Sequence, residues 1–215
     1  MIKPIPHLVA GLLAATLALG TVSTVQAKTP ADQLIVGMSM INLLSLDPAA
    51  ATGLDVSEVN ANLYDMLLVQ DASAPDNLVP ALAERWEISD DHKTLTFHLR
   101  SGVKFHSGNE LTAQDVTWSL QRVLKLNLAL ASTWKAYGFT ADNVEQQIRA
   151  PDDHTVIVEL ARPTDPMLVL NTLATSPSAF ILDRKEVLKH DKNGDMGGAW
   201  LTTNAAGSGP FVLNA

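Results

Sequence analysis

Cysteine is absent from this chain of 215 residues. Its absence excludes disulfides, thiolate zinc sites and a lipid-bearing N-terminal cysteine. Charged residues are scarce at 18%, and aromatic ones make up only 5%. Lys and Arg, 15 in all, are outnumbered by 23 Asp and Glu, which gives a formal net charge of −8. No basic cluster occurs, and phosphate binding needs clustered cations, so nucleic acid is excluded as a partner. Past residue 20 no apolar run reaches the roughly 20 residues that a membrane span needs. Repeats and low-complexity segments are lacking too. What remains is a chain with 47% apolar residues, the balance of a globular protein.

The N-terminus has the parts of a secretory signal. Lys3 supplies the positive end, and Leu8 to Gly20 is apolar and built of small residues. Val25-Gln26-Ala27 offers the small-residue cleavage pattern, which predicts a cut after Ala27. An uncleaved anchor is the rival reading, but the run is short for a span. Residues 1–27 are thus expected to be a signal peptide and 28–215 the exported protein, periplasmic in location.

The stretch from 80 to 122 organises the rest. Trp86 and Ile88 alternate with polar neighbours, the period of a half-buried strand. Asp90-Asp91-His92-Lys93 favours a turn. Leu95, Phe97 and Leu99 then point one way, and Thr96, His98 and Arg100 the other. A hairpin is the expectation. Thr112 with Asp115 three residues on marks a helix start, a weaker version of the Ser/Thr-x-x-Glu box. Val116, Leu120, Val123 and Leu124 share one face of that helix.

Upstream, Leu34-Ile35-Val36 reads as a short buried strand. Leu46-Asp47-Pro48 closes the loop after it, because the residue before proline avoids helix. Asp55-x-x-Glu58 reads as a capping box before a helix that buries Val56, Val59, Leu63 and Leu67. Pro75 and Pro80 suggest a loop over 71–80. Downstream, residues 124–131 continue helix-like. Val144–Ile148 and Thr155–Leu160 read as a second hairpin around Asp152-Asp153-His154. Pro163 and Pro166 bracket a turn before a helix over Met167–Leu173. Ser178–Leu182 reads as a short strand, and Asp183 as the cap of a brief helix to His190. Residues 193–198 form a surface loop before Trp200 and Leu201 re-enter the core. Phe211-Val212-Leu213 begins a strand.

The order LAERW, SDDHKTLTFHLR, SGVKFHSGNELTAQDVTWSLQR resembles the signature region of periplasmic solute-binding proteins of the peptide/nickel type. These are the capture subunits of ABC importers. Leu46-Asp47-Pro48 and Gly207-Ser208-Gly209-Pro210-Phe211 extend the resemblance toward both ends. It implies an α/β fold, part of lobe one of a two-lobe periplasmic binding protein, a mixed sheet with helices and hairpins. Residues 28–215 then correspond to a partial N-terminal lobe with the second lobe absent. It further implies a monomeric substrate-binding subunit that captures peptides and delivers them to an inner-membrane permease. No chemical step, cofactor or resident metal is expected. Nickel, haem or another small solute is the alternative within the family. A periplasmic hydrolase or a holdase is the alternative outside it.

Candidate residues divide by the chemistry they offer. Asp90-Asp91 and Asp152-Asp153 are paired carboxylates, but hairpin tips favour aspartate for turn formation alone. Gly207-Ser208-Gly209 lacks the spacing of a nucleophile elbow. His92, His98 and His106 show no ligand spacing, and His154 and His190 read as surface groups. Ligand contacts come only through the resemblance. It points to Ala51 and Thr52 after Leu-Asp-Pro, to Trp134 or Tyr137 after the signature helix, to Ser178, and to Asn204 and Ala205 before Gly207. Trp134 offers an apolar face for a ligand, with core packing as the competing role.

Overall fold

The structure is a computed structural model that describes residues 33, 35–37, 41, 43–50, 52–160, 162 and 164–214. The signal sequence, Leu34 and Ala51 lie outside the described residues. Every element below lies within residues 38–215. Ile35 and Val36 are exposed and form no strand, contrary to the reading of a buried one.

Helix α1 (Leu54–Leu63) buries Val56 and Leu63. Its N-cap is Gly53 rather than Asp55, which sits in the first turn. There its charge complements the helix dipole instead of capping it. Leu67, expected on the helix, is buried beyond its end. Strands β1 (Leu68–Asp71) and β2 (Ala74–Pro80) form an antiparallel ribbon where a loop was expected. Both strands of a two-stranded ribbon are edges, so Pro75 and Pro80 need not donate to a ladder.

The expected central hairpin is present. β3 (Ala83–Ile88) and β4 (Thr94–Leu99) pair antiparallel, with Trp86 opposite Phe97 and Ile88 opposite Leu95. Leu95, Phe97 and Leu99 are buried while Thr96 and His98 are half-buried, as the alternation requires. His92 at the tip adopts the left-handed region, φ 58°. Asp91 accepts there from Ser89 Oγ at 2.6 Å and Lys93 N at 3.1 Å, so the aspartate serves the turn.

Helix α2 (Ala113–Lys125) follows. The Thr112 backbone N–H and hydroxyl both donate to Asp115 Oδ2, at 2.9 and 2.7 Å. Val116, Leu120, Val123 and Leu124 are buried on one face. The helix stops at Lys125 and does not run to 131, because Asn127 turns left-handed at φ 49°. Short helices α3 (Ala131–Ala136) and α4 (Val144–Gln147) come next. The second hairpin is smaller than expected, only β5 (Ile148–Arg149) against β6 (Thr155–Glu159). Val144 reaches the core from a helical turn instead, which Asn143 and Thr140 hold in place. β6 pairs with β4, so the sheet order is β3-β4-β6-β5, and every described pair is antiparallel.

Helix α5 (Pro166–Thr175) contains the expected Met167–Leu173 and extends beyond it at both ends, with proline in its first turn and Asp165 accepting from Met167 N at 2.9 Å. Residues 177–179 form a 3₁₀ turn, not a strand. Pro177 starts that turn, and the Ser176 and Ser178 hydroxyls bond each other at 2.8 Å. Asp183 caps α6 (Arg184–Leu188). After α7 (Gly198–Leu201), Phe211, Val212 and Leu213 are exposed and unpaired by any described strand. Among the described residues, Phe211 N donates to Asn62 O at 3.0 Å.

Two apolar clusters result, and α2 lies between them. The larger fills the space under the four-stranded sheet with Phe97, Leu120, Trp134, Ile148 and Leu173. The smaller gathers Leu46, Tyr64, Phe180, Val187 and Leu201.

Candidate functional site

The expected ligand residues differ in exposure and in what they touch. Thr52 is exposed just ahead of α1. Trp134 is wholly buried; its indole N–H donates to Ser178 Oγ at 2.9 Å and its ring meets Phe139 edge-on at 5.8 Å. Tyr137 is half-buried, and its hydroxyl bonds Thr172 Oγ1 at 2.8 Å, tying α3 to α5. Asn204 and Ala205 are half-buried, and the Asn204 amide donates to Trp200 O at 3.0 Å. Trp134 and Ser178 therefore touch each other.

The carboxylate pairs behave as turn residues. Hydrogen bonds from Ser89 and then Lys93 hold the Asp91 carboxyl below its ordinary range. The His154 backbone N–H does the same for Asp152. A general acid needs the opposite shift. The histidines do not converge. His98 faces Glu87 at 3.5 Å, and His106 Nε2 lies 2.8 Å from Gly209 O.

Three polar connections escape a reading by periodicity. The first is a buried ion pair between Arg122 of α2 and Asp47 of Leu-Asp-Pro, two-pronged at 2.6 and 3.1 Å. Arg122 Nε also donates to Met196 O at 3.1 Å, and the guanidinium stands 5.9 Å from the Trp118 ring centroid. Full pairing is what a buried charge requires. Beside it the Tyr64 hydroxyl donates to Leu46 O at 3.0 Å, and burial pushes this phenol above its ordinary range.

The second joins the signature turn to the cap of α6. Ser107 Oγ and Asn109 Nδ2 both donate to Asp183 Oδ2, at 2.5 and 2.8 Å. The third fixes the Gly-Ser-Gly-Pro turn on the end of α1. Ser208 Oγ donates to Asp65 Oδ2 at 2.8 Å, and Gly209 N to Leu63 O at 3.1 Å. A Cβ at Gly207 would fall 1.9 Å from Leu63 O, which explains the glycine there.

Asp65 also borders a hollow of about 230 Å3 whose other walls include Tyr64, Met66, Ala174 and Phe180. Burial raises this carboxyl above its ordinary value, against the pull of Ser208 and His106. No spacing marks it in the sequence, because its walls come from α1, the start of β1, α5 and the 3₁₀ turn.

Comparison with known proteins fits this geometry. The sequence profile described as bacterial extracellular solute-binding proteins, family 5 Middle, matches residues 77–215. The chain belongs to this family. The family-5 chain is 32% identical over 192 residues to the probable D,D-dipeptide-binding periplasmic protein DdpA of Escherichia coli, covering 88% of this chain and 34% of that protein. To the periplasmic oligopeptide-binding protein OppA of Escherichia coli it is 30% identical over 222 residues, covering 95% of this chain and 39% of the other. The periplasmic binding protein DppA of Helicobacter pylori, solved with the peptide STSA, superposes with a TM-score of 0.64 at 29% identity over 80% of this chain and 34% of that one. MoaA of A. tumefaciens, solved with mannopinic acid, superposes with a TM-score of 0.67 at 26% identity over 81% of this chain and 33% of that one. The chain thus spans about a third of the length of these relatives. No helix among the described residues is long and apolar enough to cross a membrane.

Proposed function

We propose that this chain takes part in capturing peptides in the periplasm for delivery to an inner-membrane permease. The observation that carries this reading is the family match together with relatives named for peptide binding, DdpA and OppA. The mechanism is capture without a bond-breaking step: a ligand is enclosed, and closure follows because the closed state binds it better than the open one. The protein acts as a monomer, after removal of residues 1–27. Thr52, Tyr137, Asn204 and Ala205 contribute hydrogen-bonding and apolar contacts on the ligand side, as does Ala51. Trp134 and Ser178 support the wall from behind through their mutual hydrogen bond.

A small anionic solute is the second reading, favoured by the likeness to the mannopinic acid complex. Isothermal titration against a panel of di- and oligopeptides, mannopinic acid, nickel and haem separates the two. A saturable signal with one or more peptides supports the proposal. Binding of mannopinic acid, nickel or haem with no response to any peptide overturns it.

A further inference from the structure

We propose that the groove along the outer edge of β3 is a docking site for a basic, extended segment of a partner protein. Its floor is apolar. Trp86 is half-buried there, and Ile88 and Met167 are 38% and 43% exposed. Two adjoining hollows, of about 460 and about 210 Å3, share Ile88 and Met167 and so form one continuous trough. Apolar side chains of this size gathered in a trough, rather than scattered, mark an interaction surface.

The edge of the trough is a strand with open main-chain groups. β3 is outermost in its sheet. Among the described residues, no main-chain hydrogen bond from residues 84–88 reaches any segment other than β4. Such an edge pairs with an added strand, whose alternate side chains then enter the groove.

Charge selects the occupant. Asp71, Asp76, Asp90 and Asp165 rim the two hollows, no Lys or Arg lines them, and His92 is the one basic group. Glu84 of β3 is also exposed, whereas Glu87 is paired with Arg85 of the same strand at 3.3 Å. A second copy of this chain would bring the same carboxylates and a like net charge, so edge-to-edge pairing with itself is opposed. A segment that alternates Lys or Arg with aliphatic residues satisfies rim, floor and edge together.

The test uses the full chain and a fluorescein-labelled peptide, Lys-Val-Lys-Leu-Lys-Val, followed by fluorescence anisotropy. Asp76→Asn/Asp90→Asn is the variant of choice, since neither carboxylate accepts a hydrogen bond from any described residue and the fold does not depend on them. Saturable binding is expected, weakened about tenfold or more by the double variant, by exchange of Lys for Glu in the peptide, and by N-methylation of the peptide backbone. No binding overturns the proposal. So does binding that neither the double variant nor N-methylation weakens, which would place the peptide elsewhere on the protein. Sedimentation velocity supplies the remaining control. A concentration-dependent dimer that dissociates in the double variant would assign the groove to a second copy and overturn the partner segment.

Discussion

The two clusters on either side of α2 are built by different means. Under the four-stranded sheet, apolar side chains from β4, β6, α2, α3 and α5 interlock, and cohesion comes from area removed from water. Around Tyr64 and Leu201 the apolar set is smaller, and polar ties between distant residues complete it: Asp47 with Arg122, Asp183 with Ser107 and Asn109, Asp65 with Ser208. One region should lose stability in graded steps with the apolar volume removed. The other depends on partners that have no substitute. Burial without pairing is costly, so the second region should fail more abruptly when a single atom is removed.

Arg122→Ala gives the largest expected effect. It strands the buried Asp47 carboxylate, and urea denaturation should show a loss of about 3–5 kcal/mol. Asp47→Leu combined with Arg122→Met should recover most of that loss, because the cost lies in the unpaired charge. If the double variant is no more stable than Arg122→Ala, the contrast between the regions is wrong. Leu120→Ala, in the larger cluster, should cost about 2–5 kcal/mol, and Leu120→Met under about 1.5 kcal/mol. A near-equal loss for Ala and Met would mean that the core cannot settle and behaves like the polar region.

Asn60 sharpens the comparison from the opposite side. It is fully buried on α1, and neither amide atom has a hydrogen-bond partner among the described residues. Asn60→Leu should therefore stabilise the protein, by about 1–3 kcal/mol. A destabilised variant would reveal a partner for the amide.

The smallest effect is a pH dependence. Burial raises the Asp65 carboxyl above its unfolded value, so the folded state holds this proton more tightly than the unfolded state. Stability is then lost as pH rises from about 4 through the folded value, and the loss is complete above it. Asp65→Asn removes that loss, so its denaturation midpoint should gain on that of the wild type as pH increases. A difference that stays flat, or shrinks with rising pH, would show that the Ser208 hydrogen bond outweighs burial.

The same division explains what the sequence made legible. The hairpin over 83–99 and helix α2 could be read because their packing is periodic: Leu95, Phe97 and Leu99 at spacing two, Val116, Leu120 and Val123 at three and four. The caps at Thr112 and Asp183 could be read because capping is local. The β1–β2 ribbon was hidden by its prolines, whose ban applies only to paired interior positions. The strand read at 211–213 was apolar enough, but a strand needs a neighbour and the described sheets offer none there. Trp134 carried no local sign of whether its face met ligand or core; its burial against Ser178 and Phe139 depends on residues far along the chain. Arg122 read as one more polar residue of an amphipathic helix, since its partner lies 75 positions away.

Helix α2 holds Leu120 in one cluster and Arg122 against the other. A rod gripped on both sides cannot slip on one side alone. The two halves should therefore exchange their amide protons in step, melting at a common temperature rather than peeling apart, and a disturbance at Asp47 should reach Ile148 without any contact between the two.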